Sequence, residues 1–159
     1  MSHPAMSQSS HIPRAYIDPI DNAADALAVI HLAMHQPLQS EVIAFLLDDD
    51  NRGGTIVSVT DVDDDDAVSR VVDLMCHATA RSRDRAADGD GDDGDDPIGF
   101  GLVVATVRPD GGIVTGDTYR WLEASSIAAD LGIELIEWFV IGPDGPACPR
   151  ALLGEPERW

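Results

Sequence analysis

His31 and His35 stand four residues apart in a stretch of helical periodicity, a spacing that puts two imidazoles on one helix face and offers a metal ion two nitrogen ligands. No thiol or carboxylate sits at a recognisable ligand spacing from them, so a structural or solvent-facing role competes with metal binding. Cys76 and Cys148 lie far apart and form neither CxxC nor Cys/His ligand spacing. They read as a buried thiol and a loop thiol. The stretch from Asp84 to Asp96, DRAADGDGDDGDD, has the Asp and Gly content of a calcium loop but lacks its ordered D-x-D-x-D-G core and closing Glu. Ser-His-Asp, P-loop and GxSxG arrangements are absent.

The elements that must position these residues can be read from periodicity. Leu27, Ile30 and Met34, with Ala23, Ala26 and Ala33, recur at helical spacing behind an Asp21 or Asn22 cap and before Pro37. Glu41 to Leu47 and Gly54 to Thr60 read as strands joined by DDDNRG, a hairpin turn. Val68, Val71, Val72, Met75 and Thr79 predict a second helix. Asp63 to Asp66 precede it and Arg81, Arg83 and Arg85 follow its end, the order the helix dipole favours. The acidic stretch then reads as a mobile loop inserted over 82–97. Ile98 to Val107 is a continuous apolar run, as a central strand covered on both faces requires. Asp117 is placed to cap a third helix with Trp121, Leu122, Ser125, Ala128 and Ala129 on one face and Gly132 at its end. Ile133 to Ile141 is the last strand. The expected organisation is a disordered arm over 1–16, one α/β domain over 17–142 with a mixed central sheet flanked by helices, and a proline-punctuated tail over 143–159.

Several of these segments, in this order, resemble the RadC-type branch of the JAB/MPN family. LLDDDNRG at Leu46 to Gly53 resembles its first hairpin. GLVVATVRPDGG at Gly101 to Gly112 resembles the strand and loop that in active members end in His-x-His-Pro-Ser-Gly. GDTYRWLEASSIAADLGIELIEWFVIG, Gly116 to Gly142, is similar to the helix and strand that follow. The resemblance implies a cytidine-deaminase-like layering. In active members it also implies a zinc ion held by the two histidines and a later aspartate, with a glutamate from an earlier strand acting through the bound water. Here the histidine positions fall on Thr106 and Arg108, a poor ligand and a permanent cation. Asp117 matches the acidic ligand and Glu41 falls near the glutamate's position. The resemblance therefore implies a non-catalytic member without bound metal or cofactor. Thr106, Arg108 and Asp117 are expected to converge on a vestigial pocket at the C-terminal end of the central strand, with Glu41 on the neighbouring strand and Asp110 as a further binding candidate. Taken alone, Asp117 reads as a helix cap and Glu41 as an exposed residue. Arg108 either pairs with Asp117 or faces a partner.

Composition bounds what such a domain can do. Asp+Glu 29 against Lys+Arg 10 gives a net charge of -19, which opposes a phosphate backbone and an anionic membrane alike. A DNA-repair role by analogy with the family name is disfavoured for that reason. Nothing in the sequence reaches transmembrane length and no secretory leader is evident, so the expectation is a cytoplasmic protein. The leading expectation is a module that binds a protein or small ligand through the former active-site face and the tail bearing Trp159. The competing one is a metal-dependent peptidase or hydrolase with an unfamiliar set such as His31, His35 and Glu41.

Overall fold

With only 5% aromatic residues, the core is built from Val, Ile, Leu and Ala, and the β-branched runs are the ones that become the sheet. A computed structural model describes residues 11–62, 64–88, 101–156 and 159. Chain order is α1 (Ala23–Ala33), β1 (Glu41–Leu47), β2 (Gly53–Thr60), α2 (Ala67–Asp88), β3 (Gly101–Val107), α3 (Asp117–Asp130), β4 (Glu134–Gly142) and β5 (Gly145–Ala147), followed by a 3-10 turn (Pro149–Leu153). The strands form one five-stranded mixed sheet in the order β2-β1-β3-β4-β5. β1 is antiparallel to both neighbours, and β3 and β4 run parallel around α3.

The apolar run expected to be central is central. Within β3, Leu102 and Val104 face α2 and α3, whereas Val103, Ala105 and Val107 face the α1 side. Both sets are buried, which explains the unbroken hydrophobicity of the segment. Residues 98–100, expected to begin this strand, lie outside the described residues.

Local chemistry sets most of the boundaries. Asn22 caps α1 by accepting the Asp25 N–H at 2.8 Å. The hairpin turn closes on Asp48, whose carboxylate accepts the N–H groups of Asp50 at 2.9 Å and Arg52 at 2.8 Å, while Asn51 takes a left-handed φ of 59°. Gly132, at φ 74°, ends α3. Its N–H reaches Ala129 O at 3.0 Å, and Ile133 N reaches Ala128 O at 2.9 Å.

Three expectations are corrected. α2 does not stop before Arg81, because nothing from Ala80 to Asp88 breaks a helix; it runs through Arg81, Arg83 and Arg85 to Asp88, just before the first glycine of the acidic stretch. The expected loop over 82–97 therefore starts later, and its part over 89–97 lies outside the described residues. On α3 the buried face is Asp117, Trp121, Ala124 and Ala128, with Leu122 and Ala129 exposed. The termini are seated as well. From Arg14 the expected disordered arm lies against β2, with Tyr16 N donating to Gly53 O at 3.0 Å. Trp159, expected to serve a partner, packs in part against the α1-side core. Arg150 holds the tail by stacking 4.4 Å from the Trp121 ring centroid and donating to Ile136 O at 2.8 Å. Among the described residues no helix is long and apolar enough to cross a membrane.

Cys76 is fully buried, and burial, with Asp73 nearby, pushes its thiol up to about 11. Titration of the native protein with a thiol reagent at pH 8 is expected to label Cys148 first, with Cys76 slower by about 100-fold or more until denaturant is added. Equal rates would show that α2 does not cover Cys76.

Candidate functional site

Alternation along β3 brings Thr106 and, one position past the strand, Arg108 to the same side of the sheet, the side that α2 and α3 cover. Thr106 Oγ1 accepts the indole N–H of Trp138 from β4 at 2.9 Å, so one of its lone pairs is already engaged by a fully buried aromatic. Arg108 prolongs the ladder through its N–H to Ile141 O at 2.8 Å. Its guanidinium then crosses to the first turn of α3.

There it meets Asp117 in a bidentate pair, Nη1 to Oδ2 at 2.5 Å and Nη2 to Oδ1 at 2.9 Å, and Nη1 also donates to Gly112 O at 3.1 Å. The carboxylate has no solvent exposure and accepts two further donors, Val114 N at 2.8 Å and Arg120 Nη1 at 3.1 Å. Burial alone would raise the Asp117 pKa. The bond from Arg108 and the Val114 N–H outweigh it, with help from the nearby charge and Arg120, and hold the carboxyl below its ordinary value. The same bond raises Arg108 against the opposing effect of its own burial. Asp117 is thus not the helix cap. Gly116 occupies the cap position in αR conformation without a side-chain bond, because the carboxylate is turned back to Val114 and the guanidinium.

Arg120 extends the cluster to the start of α2, 3.4 Å from Asp65 and 3.8 Å from Asp66. It passes so close to Gly116 that a Cβ there would lie 2.8 Å from Nη1. Ser40, Asp64, Asp65, Thr106, Arg108 and Asp110 line a cleft of about 230 Å³, with Trp138 in its wall. Ser40, Arg120 and Trp138 had no distinguishing signal in the sequence; only the packing of β1, β4 and α3 around the end of β3 brings them here.

Glu41 does not join this group, and it is not exposed. In register it faces Val107, while Val42 pairs with Thr106, so Glu41 lies on the α1 side of the sheet. There, with its side chain wholly buried, it accepts the N–H of His35 at 3.0 Å, His35 Nδ1 at 2.7 Å and Ser58 Oγ at 3.4 Å. The pair of histidines also separates. His31 donates Nδ1 to Leu27 O at 2.6 Å, one turn back, whereas His35 lies beyond the end of α1. Among the described residues no three His, Cys, Asp or Glu side chains are grouped to hold a metal ion. The residues at the end of β3 do not fit zinc either, since Arg108 puts a cation where a ligand is needed and four donors occupy Asp117.

No family model matches the sequence, and no curated protein matches it.

Arg108 is 18% exposed, and removing its partner strands a largely buried cation. Asp117→Ala is expected to cost about 3–5 kcal/mol in denaturant unfolding, and Arg108→Met with Asp117→Leu together less than that single change. A double variant as unstable as the sum of its singles would show that the two residues do not interact. The pH dependence has a definite sign. A carboxyl depressed in the folded state contributes fully above its unfolded value of about 3.9, and the contribution is lost as pH falls through the lower folded value. Asp117→Asn is expected to flatten this acid limb.

Proposed function

We propose that this chain is a non-catalytic relative of the RadC-type JAB/MPN domains that binds a protein or small ligand at the cleft beside Arg108. The observation that carries the reading is the bidentate Arg108–Asp117 pair. It supplies a positive centre to a buried carboxylate at the place where the resembling family holds a metal cation between strand and helix. The order of elements and the antiparallel-then-parallel pairing around β3 support it. So does the position of Thr106, two residues before Arg108 on the same sheet face. The separation of Glu41 from the cleft weighs against hydrolysis by the family's chemistry, because the group that would activate water stands on the other face of the sheet.

A guanidinium in place of a metal leaves no Lewis acid and no acidified water, so the site is suited to recognition. Ser40 and Thr106 offer hydroxyls at the cleft, and Asp64, Asp65 and Asp110 border it with carboxylates. A ligand bearing hydrogen-bond donors or positive charge suits that lining.

Thr106→His combined with Arg108→His restores the ligand types in the family's order. Isothermal titration of the double variant with zinc is expected to show binding at least about ten-fold tighter than wild type, and adding Asp117→Asn is expected to remove the gain. Tight stoichiometric zinc on the wild type that survives Asp117→Asn would falsify the reading and favour the metal-dependent hydrolase.

A further inference from the structure

β2 is an outer strand of the sheet, and its sequence GGTIVSVT holds none of the charges or prolines that usually guard such an edge. The chain protects one end of it. Tyr16 bonds to Gly53 O, its ring lies over Gly54 at a distance that leaves no room for a Cβ, and the register of β2 slips between Phe45 and Leu47 of β1. From Thr55 to Thr60 the edge has no partner strand among the described residues, and all but Val57 are exposed.

This bare stretch is flanked by an apolar cleft on each face. On the α2 side, Val59, Val62, Val71 and Leu74 line about 340 Å³; on the α1 side a smaller cleft of about 130 Å³, lined by Ile12, Val29, Leu32 and Gly54, lies toward the covered end and reaches the bare stretch at Ile56. Leu74 is 62% exposed and Leu32 68%. An added strand sends successive side chains to opposite faces, so it would fill both clefts while its backbone satisfies the open edge. The electrostatics choose the occupant. Nearby cations are each taken by a carboxylate, Arg14 by Asp18, Arg52 by Asp50 and Arg70 by Asp64. Asp48, Asp49 and Asp61 at the two ends of β2 are in excess of them. With a net charge of -19, a second copy of the chain is repelled and a cationic chain is attracted.

We propose that the Thr55–Thr60 edge of β2 docks an extended segment of a basic partner protein, apolar in its interior and flanked by Lys or Arg, which adds to the sheet as a further strand. The proposal stands on the edge and its two clefts and does not depend on the reading of the Arg108 cleft.

The test uses the full chain and fluorescein-labelled synthetic peptides in anisotropy titrations. A peptide Lys-Lys-Val-Ile-Val-Thr-Val-Lys-Lys is expected to bind at least about ten-fold more tightly than its Glu-flanked counterpart, with affinity falling as salt is added. N-methylation of alternate amides in the peptide is expected to abolish binding, because main-chain pairing then fails. Val59→Ser with Leu74→Ser, both at exposed positions and neither adding charge, is expected to weaken the Lys-flanked peptide by about ten-fold or more while circular dichroism stays unchanged. Absence of binding at about 1 mM peptide overturns the proposal, as does indifference to the flanks, to N-methylation or to the cleft substitutions. Sedimentation showing self-association that Val59→Ser abolishes also overturns it, in favour of a second copy on this edge.

Discussion

A carboxylate with no exposure to water is costly wherever it sits, and the end of β3 is organised around offsetting that cost at Asp117. Its four donors come from Arg108 after β3, Val114 in the connecting loop and Arg120 in α3. The Arg108 and Val114 donors tie the end of β3 and the connecting loop to the first turn of the helix, and Arg120 closes the cluster from within α3. Through Arg120 the same charge cluster reaches Asp65 and Asp66 before α2. The β3–α3 crossover, the docking of α3 beside α2 and the walls of the cleft therefore share one electrostatic centre. A guanidinium suits that task better than an ammonium because its planar fork satisfies both carboxylate oxygens at once.

The sheet divides the remaining polar chemistry by face. Glu41 and Asp117 are both buried acids, but they belong to separate layers and have different partners. Asp117 has two permanent cations, whereas Glu41 has an imidazole, a backbone N–H and a hydroxyl. The Glu41 contacts hold the link between α1 and β1 against the start of the sheet, a structural role that needs no cleft. The opposite side of the molecule is closed by the tail, where Arg150 lies between the Trp121 ring and the Glu137 carboxylate, 3.4 Å from its Nε. Trp121 itself donates to Glu155 at 3.1 Å, so the tail is pinned to α3 by two contacts on one indole.

The two edges of the sheet are treated differently. Beyond β4 the short β5 pairs with Val140 to Gly142, and Arg150 of the tail reaches back to Ile136 O. Beyond β2, among the described residues, it is the Gly53–Gly54 end that is covered. Among the described residues the two surfaces are thus of opposite kind, a polar cleft with a neutralised centre and a sheet edge beside an apolar cleft.

Most of the fold was legible in the residues because its signals are local. The unbroken run from Gly101 to Val107 requires two covers, DDDNRG carries its own turn chemistry, and Gly132 admits the left-handed φ that ends α3. That Thr106, Arg108 and Asp117 would lie near one another was expected only from the family resemblance, and the structure brings the three together at the end of β3. What only the tertiary structure decided depends on register and on competition among partners. A shift of one residue in β1 moves a side chain through the sheet, so Glu41 and Ser40, adjacent in sequence, lie on different faces, and no local pattern fixes which one reaches the cleft. The choice of Asp117 to bind Arg108 instead of capping α3 is likewise a contest between a local N–H and a distant guanidinium. It is settled by burial, which makes the charged partner the stronger one.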